Sequence, residues 1–149
     1  DCKWIFLDHL SILVSGQEEG DERKSIDVLM TKLRSLVEQT GVGLLLVSHL
    51  RRPAGDAGHE NGREVTLSHL RGSASIAHLS DSVIALERNQ QAEDDVASNT
   101  TTIRILKNRY TGDTGIATHL FYDKESGRMK EIDNPYEVDD NNNEEEIPF

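Results

Sequence analysis

Two short apolar runs in this chain each end on a residue that can do chemistry. Residues 3–8 read KWIFLD and close on Asp8, and residues 42–49 read VGLLLVSH and close on His49. An acid at the carboxyl end of a buried strand lies where open α/β sheets bind ligands, and in nucleotide hydrolases that acid holds Mg²⁺, usually through water. A strand can also end in Asp simply to cap the chain, and a strand-end His can be an ordinary satisfied polar group. Two polar strand ends on one sheet edge carry more weight than either alone. Lys107 and Arg109 form a second pair, two apart on a strand and so on one face. They are either a charge-protected edge strand or a phosphate clamp, with Arg109 as a finger on a transferring phosphoryl group. A third group is Leu70-Arg71-Gly72-Ser73, just before a helix of small residues. Glycine lets backbone N–H groups approach an anion and Arg71 supplies charge, so this is a phosphate-backbone contact or an ordinary turn.

Other chemistries find little support. The six histidines do not group at metal-ligand spacing, and His59 and His69 stand apart in the sequence. With one cysteine, Cys2, no zinc site is expected. Ser48 and His49 are adjacent but lack a nucleophile elbow, which argues against a hydrolase triad. A single cysteine also excludes an internal disulfide and fits a reducing compartment. No apolar run is long enough to span a bilayer. The chain starts at Asp1 without a signal-like segment, and a strand follows at once, as expected of a piece of something longer.

The elements that must position these residues follow from periodicity. Lys3 to Asp8 and Val42 to Ser48 read as buried strands of a parallel sheet. Between them, from about Asp21, Ile26, Leu29, Met30, Leu33, Leu36 and Val37 form one helical stripe, with Asp21 as N-cap and Gly41 as the stop. Residues 50–64 form a long loop, of the kind that in compact domains is functional or mobile. Leu67 to Leu79 reads as a turn and short helix, and Ser82 to Leu86 as a third apolar strand. Thr101 to Tyr110, Ile116 to Tyr122 and Arg128 to Ile132 form an antiparallel meander. The expected fold class is α/β, with hairpins at the C-terminal end.

The 149 residues carry a net charge of -11, from 16 bases and 27 acids. That balance speaks against a polybasic nucleic-acid binder but not against a local basic site. Seven of the acids and none of the bases lie in residues 133–149, which leaves 20 acids and 16 bases in residues 1–132. The expectation is a folded body over 1–132 and a disordered acidic tail over 133–149. The tail ends Ile147-Pro148-Phe149, an apolar hook that suits a docking partner better than free solvent.

Taken in order, strand-Asp8, helix, strand-His49, Leu70 to Ser73, Ser80-Asp81-Ser82 and the run RILKNRYTGDTG over 104–115 resemble the second half of a RecA-like P-loop NTPase core. The resemblance is to ring helicases of the DnaB family, and within it to the primase–helicases of T-odd short-tailed phages. It covers nearly the whole chain from residue 4 to about 132, through DERKSIDVLMTKL, LSDSVIALERNQQ and RYTGDTGIA.

The resemblance implies an ATP-dependent or dTTP-dependent replicative DNA helicase that translocates on single-stranded DNA as a homo-hexamer. In that family pattern Asp8 matches the Walker B acid that orients Mg²⁺, and His49 the residue that senses the terminal phosphate. Lys107 and Arg109 match cations donated across a subunit interface. Arg88 and Tyr122 match residues that sandwich the base. Arg71, Gly72 and Ser73 match one channel loop on the DNA backbone, and residues 50–64, with Arg51 and Arg52, the other. The tail with Phe149 resembles the segment that holds the phage DNA polymerase, and the location implied is the host cytoplasm, with no membrane partner. His78 stands where relatives usually carry Gln, Ala74 where Gly is common, and Ala77 where a relative has a base. No G-x-x-x-x-G-K-[ST] loop occurs in the chain, since Gly20 to Ser25 offers Lys-Ser without the second glycine. The catalytic Glu would lie upstream, so these residues alone are not expected to hydrolyse ATP. The alternatives are a recombinase or loader ATPase on the same fold, and a non-catalytic interaction module.

Overall fold

The computed structural model describes residues 2–14, 22–51, 58–72 and 74–136. The proposed N-cap Asp21, the channel-loop residues Arg52 and Ser73, and residues 137–149 with Phe149 lie outside these.

Strand β1 (Trp4–Leu7) runs parallel to β2 (Gly43–Leu46), paired from Trp4 opposite Gly43 to Leu7 opposite Leu46. The crossover between them contains α1 (Leu10–Val14) and α2 (Glu22–Thr40). Helix α2 stops where periodicity places its end. Gly41 takes φ +70°, and its N–H reaches Val37 O at 2.9 Å. Its expected stripe packs as read at Ile26 and Met30, which are buried with Leu10, Val14 and Ile76, and Leu29 and Leu33 pack against them. Leu36 departs from the stripe and is exposed.

The parallel pair is covered on one face only. Leu46 packs on the core, whereas Trp4, Phe6 and Leu45, which alternate onto the other face, are exposed, Phe6 at 72%. The expectation of strands buried on both faces therefore fails among the described residues: a parallel sheet needs helices on both sides, and here only one layer is present.

The remaining strands form one antiparallel sheet in the order β3-β4-β5-β6. They are β3 (Ser82–Glu87), β4 (Thr100–Asn108), β5 (Gly115–Asp123) and β6 (Arg128–Ile132). The meander forms as expected, and the third apolar strand joins it by pairing with β4. Apolar content could not reveal that direction, because a buried strand reads alike in either orientation. Between these units lie a 3₁₀ turn (Leu67–His69) and α3 (Ala74–Leu79), and a short helix α4 (Asp95–Ser98) falls within the expected polar connection between β3 and β4.

The antiparallel sheet is held partly by polar groups. Glu87, buried at the end of β3, accepts from Val65 N at 2.8 Å and Arg104 Nε at 2.9 Å. The hydrogen bond to Glu87, with the charges of Glu87 and Glu64, raises the Arg104 pKa despite partial burial. His119 meets Thr102 Oγ1 at 3.0 Å across β4 and β5.

Candidate phosphate edge and channel loop

Asp8 follows β1 directly and His49 lies three residues past β2, so the two meet at one sheet edge as the sequence implies. The pairing continues past the strands, with Val47 N donating to Leu7 O at 2.9 Å and Leu10 N to Val47 O at 3.0 Å. The Asp8 carboxylate is exposed and accepts no hydrogen bond from the described residues. Both oxygens are therefore open to the waters of a hydrated Mg²⁺, a cation that keeps most of its own waters and needs few protein ligands. No cluster of three metal-ligating side chains exists among the described residues. When bound beside a nucleotide, Mg²⁺ neutralises charge on the phosphate oxygens. The His9 and His49 rings stack with centroids 4.0 Å apart and planes tilted by 34°. His9 directly follows the strand-end acid in sequence, and the structure brings it onto His49.

The same edge is bonded to the candidate DNA loops. Arg71 N donates to His49 O at 3.1 Å, Arg51 N donates to His69 O at 2.7 Å, and Leu50 and Leu70 bridge antiparallel between them. Thus the strand end carrying His49 and the loop carrying Arg71 share backbone hydrogen bonds. The Arg71 guanidinium is exposed, 4.0 Å from the Glu22 carboxylate. Gly72 has φ +108°, and a Cβ there would fall on Ile26 Cδ1, so glycine is required both by conformation and by close approach to the core.

His59 and His69, far apart in sequence spacing, meet edge to face at 5.1 Å under this bridge. His69 Nδ1 accepts from Thr66 N at 3.2 Å, which requires the neutral ring. Burial, then the charges of His59, Arg63 and Arg51, lowers its pKa below the ordinary 6.5. A lowered histidine pKa favours the fold above the unfolded value, and that contribution is lost as pH falls through the folded value. His69 should therefore titrate below 6.5 by NMR, and acid should loosen the Thr66–His69 turn; titration at or above 6.5 would contradict the geometry.

The second cationic pair lies at the far end of β4. Lys107 Nζ donates to Ala77 O at 2.7 Å, His78 O at 3.2 Å and Ser80 O at 2.8 Å. It thereby closes the C-terminal end of α3, where free carbonyls and the helix dipole favour a cation. All three of its donors have partners, so meeting a phosphate would require exchanging some of them. Arg109 is half-exposed and spends one N–H on Asp81 Oδ1 at 3.0 Å. Arg88 and Tyr122 both bond to Asn99, Arg88 through its side chain and Tyr122 through its backbone only. Arg88 NH2 reaches Asn99 Oδ1 at 3.1 Å, and Tyr122 N donates to the Asn99 carbonyl at 2.9 Å.

The strand end that carries an exposed acid and a neighbouring histidine is thus tied by backbone hydrogen bonds to a glycine-arginine loop. Residues 1–131 match the model of the DnaB-like helicase C-terminal domain, and the chain belongs to that family. It is also 51% identical over 129 residues to the DNA helicase/primase of Enterobacteria phage T3. That match covers 87% of this chain and 22% of the phage protein, so the chain spans about a fifth of the relative's length.

Proposed function

We propose that this chain is the C-terminal part of the motor of an NTP-driven replicative DNA helicase, RecA-like in fold and working as a hexameric ring on single-stranded DNA. The observation that carries the reading is the backbone bond between His49 O and Arg71 N, which joins the phosphate edge to the candidate DNA loop over 3.1 Å. A nucleotide would lie between subunits, with Asp8 and His49 on one side and Arg109 of a neighbour on the other. ATP or dTTP is the fuel, and Arg88 and Tyr122 flank its base. In this reading residues 1–132 form the motor part, with Lys107 as a companion cation to Arg109.

Arg51, Arg52, Arg71, Gly72 and Ser73 would face the strand in the channel. A change at the terminal phosphate would move His49 and, through the shared hydrogen bonds, the loop, by a shift between discrete arrangements rather than by a continuous bend. The acidic tail with Phe149 would hold the replicative polymerase. A recombinase or loader ATPase is not favoured, because both the family and the phage relative are helicases. The intact protein carrying this segment is expected to unwind a forked duplex only when hydrolysable NTP and Mg²⁺ are supplied. Hydrolysis stimulated by single strands without any unwinding would favour the loader reading.

A further inference from the structure

Asp81, at the corner between α3 and β3, is a carboxylate that the reading above leaves unused. Both of its oxygens are occupied by guanidinium groups. Oδ2 accepts from Arg34 NH1 of α2 at 2.8 Å, and Oδ1 accepts from Arg109 NH1 at 3.0 Å. The backbone adds a third link, since Arg109 N donates to Asp81 O at 2.8 Å and extends the β3-β4 ladder by one step. Arg109 is thus tied to the same residue by main chain and by side chain. Arg34 is itself anchored by Glu38, which accepts from its Nε at 2.7 Å. A line of alternating charge therefore runs from the surface of α2 to the end of β4.

Two features separate this from an ordinary surface ion pair. The first is its asymmetry. A guanidinium carries five N–H donors, and Arg109 gives one to Asp81 while its side chain remains 52% exposed, so most of its donors stay available to another acceptor. The second is the state of the carboxylate. Burial acts to raise its pKa, but hydrogen bonds from Arg34 and Arg109, aided by their charges, outweigh it and hold the group below its ordinary range. Asp81 is therefore fully charged at neutral pH and a permanent acceptor. Arg34, filling the second oxygen, prevents Arg109 from closing a two-pronged pair that would use up its donors.

We propose that Asp81 is the positioning residue for Arg109, holding its guanidinium ordered at the subunit surface so that a neighbour's phosphate meets a finger already in place. This rests on the reading of Arg109 as a finger. An arginine free to sample its rotamers must be ordered during the reaction, and that loss falls on turnover when the contact matters most in the transition state. Asp81 removes part of that loss in advance while leaving the phosphate-facing donors open.

The test uses the intact ring helicase carrying this segment, with saturating single-stranded DNA. Asp81→Asn keeps the shape of the side chain and removes its charge. The expected result is a kcat lowered about tenfold, with KM for the nucleotide within about twofold and an unchanged melting temperature. Arg34→Gln, which frees the opposite oxygen, should lower kcat in the same way but less. Unchanged kcat in Asp81→Asn, while Arg109→Ala abolishes turnover, overturns the positioning role and leaves the finger standing. Unchanged turnover in Arg109→Ala removes the finger and the proposal with it. A joint fall of kcat, substrate affinity and melting temperature in Asp81→Asn also overturns the proposal, since a merely structural pair behaves so. If Asp81→Asn does not assemble, Arg34→Gln decides: lowered kcat at constant KM supports the role, and wild-type kcat overturns it.

Discussion

Arg109→Ala should lower NTP turnover in the intact ring at least about a thousandfold while nucleotide binding persists, because a finger stabilises charge that develops only during phosphoryl transfer. The position of Arg109 supports an effect on chemistry rather than on folding. Its side chain is half-exposed, it makes one side-chain hydrogen bond among the described residues, to Asp81, and the backbone link to Asp81 O survives the substitution. Removing such a side chain should cost little stability, as for other exposed ion pairs. Turnover measured at saturating nucleotide, alongside equilibrium binding of a labelled nucleotide, separates the two effects. Arg109→Lys should recover little of the lost rate, because a compact ammonium cannot hold Asp81 and a phosphate with the same fixed fork.

His49→Ala should uncouple the motor. The substitution leaves the backbone bond from Arg71 N to His49 O in place but removes the ring that stacks on His9 beside Asp8. The loops should then still bind a single strand, yet the strand should no longer raise the rate of hydrolysis. The expected loss is about a hundredfold in DNA-stimulated turnover, the scale of a misplaced positioning group, with DNA affinity close to that of the wild type. The measurement is hydrolysis with and without single-stranded DNA, with affinity from fluorescence anisotropy. Retained stimulation would mean that the signal between phosphate and loop passes elsewhere.

Much of this was legible in the residues. Short apolar runs ending at Asp8 and His49 gave the sheet edge, because polar strand ends read the same in sequence and in space. Glycines gave the stop of α2 and the β4-β5 turn, where Gly41 and Gly112 both take positive φ. Contacts between distant residues were not legible. The Arg34–Asp81–Arg109 line joins positions 47 and 28 residues apart, and nothing in local periodicity links them. The edge-to-face pair His59–His69 was hidden for the same reason. Lys107 was read by charge and by its spacing from Arg109; the three carbonyls that hold it lie at and just past the end of α3, 27 to 30 residues away in sequence. The open face of the parallel pair was misread because hydrophobicity records what a strand can bury, not whether a layer is there to bury it.

In the proposed ring, Asp8 of one subunit and Arg109 of its neighbour serve the same nucleotide. Rings assembled from a mixture of Asp8→Asn and Arg109→Ala subunits test it most directly. Each variant alone should be inactive, but where the two adjoin in the right order, one interface holds an intact Asp8 opposite an intact Arg109. Mixing should restore a substantial fraction of turnover. Mixed rings as inactive as either parent, with assembly shown by sizing, would place both residues on the same subunit's nucleotide and contradict it.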